Sequence, residues 1–142
     1  MGVLTSTHPR LQHLSLFLLR ATIGGILFFA GAGKAFGWFG GMGLDTAIAN
    51  FSHAGITPFW AKVSTYTETF GGPLLLVGFL TRPVAVAVTI NMLVAGIVAL
   101  PMGFQAYACY PFSLMITSLV ILLAGPMDYS VDVLFFRRGS AL

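Results

Sequence analysis

Four long apolar runs constrain this chain more than any other feature. They cover approximately residues 14–35, 59–80, 83–102 and 108–125, and a membrane-spanning helix needs about 20 predominantly apolar residues. Between them they occupy most of the 142 residues. Apolar residues make up 57% of the chain and charged residues 8%, against about 25% charged in ordinary globular domains. So little polar surface cannot coat a soluble globule. The expected fold is therefore all-α, an integral membrane bundle of four antiparallel helices forming a single domain over 1–142.

The boundaries carry recognisable signals. Thr57-Pro58 reads as an N-cap followed by proline at the first helical position, opening the second span. Thr81-Arg82-Pro83 cuts sharply between spans two and three, Pro111 suits a first turn, and Gly125-Pro126 ends span four. Lys and Arg beside the spans set the orientation. Arg10, Arg82, Arg137 and Arg138, with Arg20 slightly deeper, share the side of the two termini, and Lys34 and Lys62 lie opposite. Both termini are thus expected in the cytoplasm. Trp38, Trp60, Tyr107 and Tyr110 would then anchor the outer interface and Tyr129 the inner one.

The glycine-dense stretch "GAGKAFGWFGGMG", 31–43, invites a nucleotide reading, which fails. A P-loop needs Ser or Thr after Gly-Lys and glycine five places before the pair; Ala35 and Phe28 stand there. The stretch instead ends span one and starts the only sizeable loop, 37–57. Within that loop Leu44, Ile48 and Phe51 share one helical face, and Thr46, Asn50 and His53 another. That pattern predicts a short interfacial helix ended by Gly55. Ala30-Gly31-Ala32 resembles a signal-cleavage site, but the segment is read as a retained span. The opening Met-Gly-Val-Leu-Thr-Ser fits a short acylation pattern, which a four-span chain does not need as an anchor.

Ionisable residues inside a span are candidates for function. Glu68 stands mid-span in "YTETFGGPLLL", one turn before Gly71-Gly72-Pro73. At about 1.5 Å rise per residue, Arg20 falls roughly 10 Å and Glu68 roughly 18 Å from the cytoplasmic side, with Asn91 between them. The expected constellation is an intramembrane Arg20–Asn91–Glu68 network, serving either as structural glue or as a proton or ligand site. Lys34, Arg82, Trp38 and Trp60 are expected at the interfaces, with Lys34 snorkelling to the surface or meeting an anionic headgroup. His8, His13 and His53 fall outside the spans, so no histidine pair for a haem is expected. Cys109 is the single cysteine, which removes disulfides and thiolate metal clusters. No basic cluster interleaved with aromatics suggests nucleic acid.

Several blocks together resemble the DoxX family of small four-helix bacterial membrane proteins. Arg20-x-x-x-Gly24 leads into Phe28-Phe29-Ala30-Gly31-Ala32-Gly33-Lys34; Glu68-x-x-Gly71-Gly72 leads into Gly78-Phe79-Leu80-Thr81-Arg82; the chain closes with Gly125-Pro126-Met127-Asp128-Tyr129-Ser130-Val131-Asp132. It departs at Ala30, where relatives often carry histidine, and in "YACYPFSL", which lacks an acidic residue. The resemblance implies residence in a bacterial cytoplasmic membrane. It also implies kinship with the DoxD-type subunit of thiosulfate:quinone oxidoreductase, with Arg20, Lys34, Glu68 and Arg82 at the family's polar positions. The expectation is a subunit, not catalytic alone, that helps a redox complex meet the quinone pool. Its partners would be membrane lipids and other subunits or further copies of itself, and its only small-molecule ligand a quinone or lipid. A purely structural assembly protein and a small oligomeric proton-coupled transporter are the alternatives.

Overall fold

A computed structural model describes residues 8–126 and 129–136. Arg137 and Arg138, Met127 and Asp128 of the closing motif, and the amino-terminal acylation pattern lie outside the described residues. Among the described residues six α-helices follow one another: α1 Pro9–Phe36, α2 Leu44–His53, α3 Pro58–Val77, α4 Thr81–Ala99, α5 Cys109–Ala124 and α6 Val131–Phe136. A 3-10 turn, Leu100–Met102, prolongs α4, and a π turn, Phe104–Ala108, leads into α5. No strand occurs among the described residues.

Helix α1 starts earlier than the apolar run because Pro9 sits in its first turn, where a missing N–H is no loss. It ends at Gly37, whose N–H donates to the carbonyl of Gly33 at 3.1 Å. The N–H of Gly43 reaches the same carbonyl at 3.1 Å, so the glycine stretch turns back over the end of its own helix. Thr57 occupies the N-cap of α3 as expected, though its hydroxyl makes no capping bond. The amphipathic loop helix is present as α2, with Ala47 buried and Thr46, Asn50 and His53 exposed.

Helices α1 and α3 pack along each other, as do α4 and α5; α3 meets α4, and α5 meets α1. All four contribute to one core of Ile23, Leu27, Leu75, Ala85, Val88, Met92, Leu114 and Ile121. The α1–α3 seam is antiparallel and tight. A Cβ on Gly24 would lie 2.6 Å from the Gly72 carbonyl oxygen, and one on Gly72 would lie 2.6 Å from that of Gly24. Backbones approach this closely only where side chains are absent. Across the other seam the Ser118 hydroxyl donates to the Ala85 carbonyl at 2.9 Å.

Outward faces carry the largest apolar side chains. Leu123 is 75% exposed and Phe70 57%, an arrangement that water disfavours and a lipid phase accepts. Among the described residues three helical stretches are long and apolar enough to cross a membrane: Pro9–Phe36, Thr81–Met102 and Phe104–Ala124. Helix α3, read from sequence as the second of four spans, is not among them. Lys62, Glu68 and a run of Ser, Thr and Tyr hydroxyls lower its hydropathy; of these Thr65, Glu68 and Thr69 are buried, while Lys62 and Tyr66 are exposed.

Candidate functional site

The structure does not bring Arg20, Asn91 and Glu68 together. Glu68 pairs instead with Lys34, whose Nζ lies 2.6 Å from Oε2. The reason is the register of the α1–α3 seam. Gly24 rests against Gly72 and Leu76, and Gly31 against Glu68 and Thr69, so Lys34 is level with the acid. Arg20 falls beside Gly78, ten residues and about 15 Å of helix away from Glu68.

Glu68 is buried on the face of α3 turned to α1, together with Thr65 and Thr69, while the Lys34 side chain remains 28% exposed. The Thr69 hydroxyl donates to the Thr65 carbonyl at 2.8 Å. The Thr65 hydroxyl is buried with no partner among the described residues. Phe51 of α2 faces the ammonium group, with Nζ 5.9 Å from its ring centre, and Tyr110 of α5 lies within electrostatic reach of the carboxylate. A cavity of about 240 Å³ opens beside Lys34, walled by Met42, Asn50, Phe51 and Met102 among others. The pair thus sits at the end of the bundle that α2 covers, one member sealed and the other half in contact with an opening. Such a pair can hold a proton on either partner or receive an anionic or acceptor group on the lysine.

A second polar cluster closes the opposite end, and the sequence reading missed its central member. Asp132 is buried; its N–H donates to the Gly78 carbonyl at 2.9 Å, and its two carboxylate oxygens accept the N–H groups of Leu80 (2.7 Å) and Thr81 (2.8 Å). It therefore caps α4 from 51 residues away, with negative charge at the positive end of the helix. Leu80, the N-cap residue, offers no side-chain acceptor and sits in a left-handed conformation, φ 50°. Arg20 is also buried here. It donates through Nη1 to the Pro126 carbonyl at 3.3 Å and through Nη2 to that of Tyr129, with Phe17 alongside. Only glycine suits position 78: its φ is +72°, and a Cβ would lie 2.6 Å from Ser130 Cβ and 2.8 Å from Arg20 Cζ. The Arg82 guanidinium lies across Gly125. A signal for Asp132 did exist in the sequence, as a helix start without a local cap and an acid at the end of the closing motif.

Asn91 belongs to neither cluster. It lines a cavity between α3 and α4, a different side of α3 from the one that presents Glu68. Trp38 and Trp60 are both exposed, at the same end of the helices as Lys34.

Long helices with lipid-suited outer faces, small-residue packing within and a buried ion pair define a small polytopic membrane protein. A family profile makes the class specific. The chain belongs to the DoxX family, whose profile matches residues 15–101, a stretch that holds Arg20, Lys34, Glu68, Arg82 and Asn91. No curated protein and no solved structure matches the chain.

Proposed function

We propose that this chain is a four-span subunit of a quinone-linked redox complex in a bacterial inner membrane, with both termini cytoplasmic. The observation that carries the reading is the Lys34–Glu68 pair, whose carboxylate is buried. An ion pair buried in a helix bundle adds little stability over a well-packed apolar pair of equal volume, and ionisable groups at membrane depth mark pathways for protons or ligands. Reduction of a quinone to a quinol takes up two electrons and two protons. The chain carries no flavin or dinucleotide fingerprint and no set of cluster cysteines, so in this reading the electrons come from a partner. Glu68 and Lys34 handle protons near the quinone head group. Although α3 falls short of the other long helices in hydropathy, its acid Glu68 is buried against α1 and paired with Lys34, so it crosses as one member of a pair. Helix α2 lies along the outer surface, with Trp38 and Trp60 at headgroup depth.

The test is gentle extraction of the native complex, mass spectrometry of its subunits and extractable quinone, and assay of the Glu68→Gln variant. Co-purification of a redox subunit, with quinone-coupled activity lost in the variant and assembly retained, is the expected result. An assembled complex with unchanged activity would remove Glu68 from the mechanism. The tight Gly24–Gly72 seam favours a second reading, a purely structural packing subunit. In that case Glu68→Gln is silent and only substitutions along the seam disturb the complex.

A further inference from the structure

We propose that α6 is an in-plane anchor that docks on anionic lipid headgroups, at the end of the bundle opposite the Lys34–Glu68 pair. Its depth follows from helix lengths. Helix α3 has 20 residues, about 30 Å, which matches the hydrocarbon core of a bilayer. Helix α1 has 28 residues, about 42 Å, which matches the core together with its headgroup layers. The excess of α1 falls at this end, because Arg20 lies against Gly78, just past the last turn of α3. Residues 9–19 of α1 therefore run on beyond α3, and none of them is buried. The closing segment is tied at the same level. Arg20 donates to the carbonyls of Pro126 and Tyr129, the Tyr129 ring meets Phe17 edge to face at 6.2 Å, and Asp132 accepts from the N–H groups of Leu80 and Thr81. Helix α6 thus starts at the boundary between hydrocarbon and headgroups.

The two sides of α6 differ in chemistry. Asp132 is buried in the cap of α4 and Val131 and Val133 are half-buried, whereas Leu134 and Phe135 are 69% and 70% exposed. Among the described residues at this end, the exposed charged side chains are Arg10 and Arg82, both positive, and Arg82 lies across Gly125 at the start of the closing segment. The sequence adds Arg137 and Arg138 directly after α6, against one acid, Asp128, before it. Exposed apolar side chains at headgroup depth, accompanied by arginines, are the pattern of a helix lying in a membrane surface. The arginines select the headgroup. A zwitterionic surface offers them no net charge, while an anionic one favours docking by about fivefold for each basic residue near it. An apolar protein groove would accept Leu134 and Phe135 but leave the arginines without partners. Because the same short helix caps α4 through Asp132, docking also holds the start of α4 in place. None of this depends on what the Lys34–Glu68 pair does.

Phe135→Cys with Cys109→Ser, in the full chain, accepts a nitroxide at a position that is already exposed. Its collisions with oxygen, which gathers in lipid, and with a nickel chelate, which stays in water, report its depth in nanodiscs. The expected result is a lipid-immersed label in discs containing phosphatidylglycerol, with nickel accessibility rising severalfold in phosphatidylcholine alone or at high salt. Arg137→Gln with Arg138→Gln should cut the ratio of docked to undocked label roughly thirtyfold in the anionic discs, about fivefold for each residue. A label equally immersed in both lipids overturns the anionic preference and with it the proposal. Equal and high nickel accessibility in both lipids places α6 in water and overturns it too. Shielding from both agents means that protein covers the face, a second copy or another subunit, and also overturns it. The exchange of lipid alters no residue, so the outcome stays readable even where the arginine variant fails to fold.

Discussion

The difference between Arg20 and Lys34 shows how much rests on single positions. Both are cations within the first long helix, yet Arg20 donates to two carbonyls of the closing segment and Lys34 to the carboxylate of Glu68. Removing one member of a buried ion pair leaves an uncompensated charge, at a cost of about 3–5 kcal/mol; removing both does not. Lys34→Met alone should therefore lower thermal stability in detergent clearly, and Lys34→Met with Glu68→Met should recover most of the loss. If the double variant is as unstable as the sum of the singles, the pair is not the coupled unit described here. Asp132→Asn makes a separate prediction. The amide keeps one acceptor oxygen but loses the charge at the start of α4, so stability should fall by about 1–2 kcal/mol. A circular dichroism melt reads this directly, and an unchanged midpoint would show that α4 needs no cap from the closing segment. The polar residues themselves stood out in the sequence. Their partners did not, because depth along one helix says nothing of register against another.

At the level of the helix, adjacent glycines in α1 have opposite meanings. Gly24 is pressed against the Gly72 carbonyl, while a Cβ on Gly25 would meet nothing within 4 Å. Gly72→Ala and Gly24→Ala should force α1 and α3 apart and destabilise the fold. Gly25→Ala should be neutral or stabilise by about 0.5–1 kcal/mol through lower backbone freedom in the unfolded chain. Comparing melting of the three variants tests the antiparallel register, and a harmful Gly25→Ala would contradict it. The existence of α1 to α5 was legible, from apolar run length and from the proline and glycine punctuation at Thr57-Pro58 and Gly125-Pro126, but α6 was not read from the sequence. Two further features were not legible. The first helix runs through Arg10 and His13, which apolar counting excludes, and the π turn Phe104–Ala108 has no compositional mark.

Among the described residues two polar clusters lie at opposite ends of the bundle. One holds Lys34, Glu68 and α2; the other holds Arg20, Arg82, Asp132 and the closing segment. In the proposed orientation the first end faces outward. Cys109 is exposed there, at the start of α5, and is the single cysteine of the chain. A membrane-impermeant maleimide should therefore label intact right-side-out vesicles at Cys109 and leave sealed inverted vesicles unlabelled until they are permeabilised. The reverse pattern would invert the orientation and move the Lys34–Glu68 pair to the cytoplasmic end.

The amino-acid sequence by itself determined the apolar medium and the long helices. Apolar run length and scarcity of charge are local properties, and transfer into lipid depends on composition more than on neighbours. It also marked Arg20, Lys34, Glu68 and Asn91 as unusual, since each is a polar group in apolar surroundings. Only the tertiary structure decided which of them meet. Pairing depends on helix register and rotational phase, and a glycine contact at Gly24–Gly72 sets both for α1 and α3. One turn of slip along that seam would move Lys34 about 5.4 Å past Glu68, enough to separate the pair with no change in composition. The Asp132 cap has the same origin: it is a contact between segments far apart in the chain, created when the helices pack.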